Sequence, residues 1–317
     1  MVAASLVAAS CNDCAFGVAR DTRLTLAAGP PETAAACVAR AFTSRLNEEH
    51  PDQHAGVLRT NGAVDSLIAL RDGRADLAVA EADTLAQAVN GEGPFEGRTA
   101  SARTIATLYT SRLYLIVPEQ SEINGFSQLR GQKLGTGPDG SGMTLTLDRA
   151  LDAGLLRGWV SVESHSWPDL MQAFADGRVG AVAWLDGLSS PALAGVAAGT
   201  HPGFRILGSG SVVPLLERKY GQSLYQQSEI PGGAYGTGEP VESVGVSAVL
   251  VARHDLDERT AFAVANALFR MSSALASACP AISGLTPSAA ARSQPAALHA
   301  GAALFYRETN DEFRRSR

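Results

Sequence analysis

The residues Gly135 to Gly142, GTGPDGSG, carry the clearest chemical meaning in the chain, with four glycines, one proline and almost no side-chain bulk. Such a loop offers backbone N–H groups and the Ser141 hydroxyl, aimed at whatever sits ahead of the helix that begins near Met143 and runs through Leu145, Leu147 and Leu151. A helix N-terminus holds unsatisfied N–H groups and a partial positive charge, so Ser141 to Thr144 are expected to capture a small anion. Asp83 and Asp186 are the acidic candidates. If either faces the same space, it would hold an ammonium group. Nothing in the chain reads as catalytic machinery: there is no GxSxG elbow, no cysteine with a nearby histidine, and no metal-ligand spacing. His50 and His54 lie four apart, but Pro51 breaks the helix that would align them.

The same glycines admit other readings. Gly135, Gly137 and Gly140 match GxGxxG, and Glu163 follows on the next strand, as a dinucleotide fold and a nucleotide-dependent enzyme would require. Against this, Pro138 falls inside the fingerprint and the motif lies far from any first strand. A P-loop would need a lysine after Gly140, where Ser141 and Gly142 stand. A plain strand-to-helix turn would not need so many glycines.

With 317 residues and 45% hydrophobic content the chain can bury a sizeable core in two lobes. A net charge of -6 argues against nucleic acid as a partner. No apolar run reaches the length of a membrane span. The opening MVAASLVAASC reads either as the remnant of an export signal, with Cys11 a possible lipid acceptor, or as a disordered apolar start. Cys11 and Cys14 have CxxC spacing without the strand and helix of a redox motif. Cys37 and Cys279 sit on alanine-rich helical stretches and read as small buried hydrophobes, with a disulfide between them the alternative.

Strands and helices alternate along the chain. Leu24 to Ala28 is a strand, Ala34 to Asn47 a helix, Gly56 to Thr60 a strand, and Ala63 to Asp72 a helix. The turn Asp72-Gly73-Arg74 leads into a strand ending at Ala80, and Asp176-Gly177-Arg178 leads into a similar one ending at Trp184. This repeat of helix, turn and buried strand predicts two similarly built lobes. Ala102 to Tyr109 and Arg112 to Val117 read as two strands, Val244 to Val251 as one that returns to the first lobe, and Thr260 to Ala278 and Pro287 to Asn310 as helices. Two crossing segments can hinge, and the cleft between lobes is then the expected binding site.

One ordered set of motifs resembles a known family: Asn61-Gly62 with Asp65, Gly73 to Ala80, Val117-Pro118 to Gly131, the GPDGSG loop, Ile230 to Tyr235, and Leu298 to Ala302 with Tyr306-Arg307-Glu308. It is similar to the TAXI receptors of tripartite ATP-independent periplasmic (TRAP) transporters, over about residues 22 to 308. The resemblance implies an α/β, two-lobed periplasmic-binding-protein type II fold with a hinge and a ligand cleft between lobes. It implies a secreted, periplasmic monomer with no cofactor, no metal and no catalysis, which passes a small carboxylate or glutamate-like amino acid to membrane permease subunits. A periplasmic sensor of the same fold is the alternative. Carried over residue by residue, the ligand site comprises Thr33, Asn61, Gly62, Ala63, Glu81, Asp83, Tyr109, Ser141, Gly142, Met143, Thr144, Asp186 and Tyr235. The implied division is a terminus at 1–21, lobe one at 22–112 and 240–317, and lobe two at 113–239.

The chain departs from the family pattern in the first loop, Pro30-Pro31-Glu32-Thr33, where paired glycines and an aromatic are usual. Ala63 replaces a serine, Ser189 a proline, and His299-Ala300-Gly301 a histidine-proline-glycine. Lobe one is therefore expected to hold its ligand differently from the family norm.

Overall fold

The computed structural model describes residues 24–51, 54–197, 203–292 and 295–315. The signal-like start with Cys11 and Cys14 lies outside the described residues.

The first strand, β1 (Leu24–Ala28), is flanked by β2 (Ala55–Arg59) and β3 (Leu77–Glu81), both parallel to it. A strand paired on both sides and covered by helices needs an apolar run, which β3 supplies in four successive buried residues. The helix α1 (Ala34–Glu49) starts where the Thr33 hydroxyl accepts the Ala36 N–H at 3.3 Å and donates to the Pro30 carbonyl at 2.7 Å. After α2 (Ala63–Arg71) and, further on, α5 (Trp167–Ala175), the chain turns through Gly73 and Gly177 at φ 71 and 69°. In both turns the arginine N–H returns to a helix carbonyl, that of Ala69 in one and Ala173 in the other. The repeated Asp-Gly-Arg is thus a left-handed helix stop that launches a strand, β3 in one case and β7 (Ala181–Asp186) in the other.

Helix α3 (Ala82–Asn90) leads to β4 (Ala102–Pro118), and α4 (Gly142–Ala153) lies between β5 (Lys133–Thr136) and β6 (Ser161–Ser164). Beyond β7 come α6 (Pro191–Gly195), β8 (Phe204–Leu207), α7 (Val213–Tyr220), β9 (Tyr225–Ile230), β10 (Val241–Arg253), α8 (Glu258–Arg270), α9 (Ser272–Ala278), α10 (Pro287–Ala290) and α11 (Ala300–Arg315). The sheet order is β2-β1-β3-β10-β4-β7-β5-β6, with β8 added to β4 and β9 to β10.

The two long antiparallel strands set the architecture. From Ala102 to Arg112, β4 pairs with β10; from Arg112 onward it pairs with β7 and β8. In turn, β10 pairs with β9 up to Val246 and with β3 from Ala248. The apolar core divides at the same places. Leu108 and Leu250 pack with Leu26, Phe42 and Leu268, whereas Leu113, Val244 and Val246 pack with Leu147, Phe174 and Trp184. Just beyond that change of partner, β10 carries register shifts against β4 after Ala248 and Leu250.

Three expectations need correction. Ala102 to Val117 is one continuous strand, because Thr110 and Ser111 keep their pairing with Ser247 and Val246 through the polar interruption. The predicted helix from Pro287 to Asn310 is two helices, since Leu298 bridges to Thr104 and the His299 N–H donates to the Thr104 carbonyl at 2.8 Å. His299 then accepts the Gly301 N–H on Nδ1, and Gly301 lets α11 meet α8, where a Cβ would stand 2.0 Å from the Glu258 carbonyl oxygen. The third correction is that Cys37 and Cys279 are joined in a disulfide that ties α1 to the end of α9.

That bond closes a sequence separation of 242 residues. Replacing both cysteines by alanine is expected to cost about 2–5 kcal/mol of unfolding free energy, read by urea denaturation. An unchanged midpoint would mean that the pair contributes nothing to the fold.

Candidate functional site

The C-terminal ends of β1, β2, β3, β5 and β7 converge between the two cores, and there the lobes touch. The Asp65 N–H donates to the Gly140 carbonyl at 3.1 Å, and the Ala192 N–H to the Glu32 carbonyl at 3.1 Å. Among these contacts lies a cavity of about 30 Å³. Room of that size holds a water or two, not an amino acid, so the lobes are in a closed arrangement.

Nine of the thirteen residues expected in the site line this cavity: Thr33, Gly62, Ala63, Glu81, Tyr109, Ser141, Gly142, Met143 and Asp186. Four do not. Asn61 is exposed beside Asp65, whose carboxylate accepts the Asn61 N–H at 3.4 Å. Thr144 shares a 3.1 Å hydrogen bond with Ser141 and faces an outer pocket. Tyr235, at φ 53°, takes the Ser190 N–H on its hydroxyl at 2.7 Å and packs edge-on against Tyr114. Asp83 is wholly buried at the start of α3, and both its oxygens are used by protein donors. Oδ2 accepts from the Thr146 hydroxyl at 2.7 Å and the Tyr225 hydroxyl at 3.1 Å, and Oδ1 from the Thr84 N–H at 2.7 Å. Arg149 joins this network through Tyr225 at 3.2 Å. The network fastens lobe to lobe outside the cavity.

Inside the cavity two carboxyls dominate. Asp186, 3% exposed at the end of β7, reaches across to the first turn of α1, where Oδ1 accepts the Ala34 N–H at 2.9 Å and its own neighbour's N–H, that of Gly187, at 2.8 Å. Its other oxygen, Oδ2, has no hydrogen-bond partner. Trp184 Nε1 and Ser190 Oγ are near enough to favour its charged form, yet neither completes a bond and both are themselves unpartnered. Burial nonetheless raises the Asp186 carboxyl to about 6. Glu81 ends β3 and accepts from the Ser111 hydroxyl at 3.4 Å. Burial first, then the Asp83 and Asp186 carboxyls, raise it to about 7.

Glu81 also stands at the start of α4. A Cβ on Gly142 would come 2.7 Å from Glu81 Oε2, 2.8 Å from the Thr84 hydroxyl and 3.0 Å from the Ala63 methyl. Gly62 is the counterpart on lobe one, at φ 145° and with a would-be Cβ 2.6 Å from the Ser141 Cα. These two glycines are clearances that let one lobe lie on the other. Of the glycines read as a dinucleotide fingerprint, Gly140, at φ 84°, faces the Asp65 carboxylate of lobe one, while Gly135 and Gly137 make room for Leu170 and Met143 within lobe two. Glu163 pairs with Lys133 at 2.9 Å on the far edge of the sheet. Among the described residues no group of three or more His, Cys, Asp or Glu is placed to hold a metal ion, and no helix is long and apolar enough to cross a membrane.

Two lobes joined by two shared strands, with converging strand ends and a cavity between, define the periplasmic-binding-protein type II fold. Solved structures agree on that fold. An ancestral arginine-binding protein bound to arginine matches with TM-score 0.52 at 15% identity, covering 82% of this chain and 99% of that one. The protein XAC2383 from Xanthomonas citri, bound to ATP, matches with TM-score 0.51 at 15% identity over 92% and 99%. At the level of family, residues 33–309 match the NMT1-like model, and the chain belongs to the NMT1-like family.

Two outcomes follow from this geometry. Both carboxyls are raised, so the closed fold favours their neutral forms; that contribution is complete below about pH 4 and is lost as pH rises through about 6 for Asp186 and about 7 for Glu81. Glu81→Gln should therefore flatten the fall in Tm between pH 5 and 8, recovering at most about 3 kcal/mol, and less to the extent that water reaches the group. A slope equal to that of the parent would contradict it. Gly142→Val should hold the lobes apart, giving a folded protein with a larger radius of gyration by X-ray scattering, and a profile identical to the parent would show that the clearance is not needed.

Proposed function

We propose that the chain is a periplasmic solute receptor that closes on a small zwitterionic amino acid of the glutamate type. The observation that carries this reading is the meeting of opposite chemistries in one cavity. The α4 N-terminus with Ser141, the Glu81 carboxyl and the unpartnered Asp186 Oδ2 all line it. A ligand carboxylate would take the position in front of α4 that Glu81 now fills, gaining N–H donors and the helix dipole. The ligand ammonium would meet Glu81 and Asp186. It would supply the charge that makes their ionisation inexpensive. A simple dicarboxylate would place a third negative group there.

In this reading the moving bodies are lobe one, residues 22–112 with the returning C-terminal part, and lobe two, residues 113–239. The hinge lies inside β4 and β10. On β10, Val244 and Val246 pack with the core of β7 and α4, which supports a hinge within that strand. Binding closes the lobes because each supplies only part of the site. The receptor works as a monomer, carries out no chemistry, and hands its ligand to the permease subunits of a TRAP transporter. The TAXI-like motif order supports that partner. Export is supported by the disulfide between Cys37 and Cys279, since such bonds persist in oxidising compartments, with Cys11 as the position for a lipid anchor.

Calorimetric titration with glutamate and with 2-oxoglutarate tests the ligand. Glutamate should bind at least tenfold more tightly, about 1.4 kcal/mol. Asp186→Asn should remove most of that preference. Equal or tighter binding of the oxo acid would overturn the ammonium site.

A further inference from the structure

Tyr109 lines the interlobe cavity and also a second, larger pocket of about 410 Å³. This pocket forms where β4 and β10 run between the lobes. Leu188 and Ser189, in the loop after Asp186, and Gln226 of β9 supply one side; the segment from Pro280 to Arg292 supplies the other. Ser189 is held at φ 60°, a left-handed conformation that fixes the course of this loop.

The charge of the pocket is opposite to that of its neighbour. Its charged lining residues are Arg112 and Arg292, with no aspartate or glutamate among the residues that form it. That is unlike the chain as a whole, which carries 32 acidic against 26 basic residues. Neither guanidinium takes part in an ion pair among the described residues, and the carboxylate that acts on Arg112, that of Glu229, lies outside the pocket lining. Arg112 is instead oriented by backbone carbonyls, with Nε donating to Glu229 at 2.7 Å and Nη1 to Thr110 at 2.9 Å. Those bonds hold the guanidinium in place and leave its charge to attract an anion. The Thr110 hydroxyl accepts the Gln226 amide at 2.9 Å and keeps its proton for another acceptor. Ser247 and Ser283 add two more hydroxyls to the wall.

We propose that this hinge pocket is a second binding site, for a small organic anion bearing two negative charges, separate from the interlobe cavity. Two arginines without carboxylate partners set the charge of the occupant. A volume of about 410 Å³ sets its size at that of a small metabolite. The walls come from elements of both cores, so an occupant contacts both sides of the hinge. Any preference it has for one lobe arrangement is then felt by the ligand of the cleft, and reciprocally.

The test uses the unliganded protein and calorimetric titration with succinate, with acetate as the single-charge control, at low and high salt. Succinate should bind the parent protein, more weakly as salt rises, and at least tenfold more tightly than acetate. Arg292→Gln, at an exposed position, should weaken succinate at least tenfold with Tm unchanged, and Arg112→Gln should also weaken it at least tenfold, with a lower Tm from the two lost carbonyl bonds. Asp186→Asn, within the interlobe cavity, should leave succinate binding as it is while altering the response to glutamate. The proposal is overturned if the parent binds no succinate, if acetate binds equally well, or if Arg292→Gln has no effect. It is also overturned if Asp186→Asn abolishes succinate binding, which would place the anion in the interlobe cavity. Failure of glutamate to bind, with succinate still held through Arg292, would count against the amino-acid receptor alone.

Discussion

The closed arrangement depends on carboxylates being buried where the lobes meet. Asp186 crosses from lobe two to cap α1 through the Ala34 N–H, Asp83 crosses from lobe one to take the hydroxyls of Thr146 and Tyr225, and Glu81 fills the room before α4. Each removes an acid from water, which costs free energy unless donors or a neutralising proton repay it. Asp83 is repaid by three donors and the nearby Arg149, although its burial still favours the neutral form. Asp186 is repaid at one oxygen only. Glu81 has a single long bond. The interface is therefore satisfied at its outer edge and unsatisfied at its centre.

Much of this was legible in the sequence because it rests on local rules. The Asp-Gly-Arg turns announce a left-handed helix stop followed by a buried strand, and the structure has both at Gly73 and Gly177. The GPDGSG loop announces a helix start, and α4 begins at Gly142. What the sequence hid depends on contacts made far along the chain. The pairing of Cys37 with Cys279 comes from the docking of α9 on α1. The unbroken course of β4 through Thr110 and Ser111 comes from β10 lying alongside, which no local propensity records.

The acidic residues show the same division at finer grain. Asp83 and Asp186 each stand at the C-terminal end of a buried strand or just beyond it, and sequence alone makes them equivalent. Their difference lies in what the opposite lobe presents. Asp83 meets Thr146 and Tyr225, side chains that donate protons, while Asp186 meets a helix end that satisfies one oxygen. Arg149, which belongs to the first network, and Arg112 and Arg292, which line the hinge pocket, went unsingled because isolated arginines carry no spacing signal.

The glycines show why the carboxylates can be so placed. Gly62 and Gly142 face each other's lobes, and a methyl group on either would overlap Ser141 in one case and Glu81 with Thr84 in the other. Their role is clearance more than flexibility, for Gly142 has no positive φ and is the first residue of a helix. Close approach here brings the α4 N-terminus to Glu81 with no side chain between, within the single turn over which a helix dipole acts. A bulkier residue would separate the charges as well as the lobes. The empty-looking glycine loop and the crowded acidic centre are thus one device, in which the absence of side chains on one lobe lets the carboxylates of the other be felt.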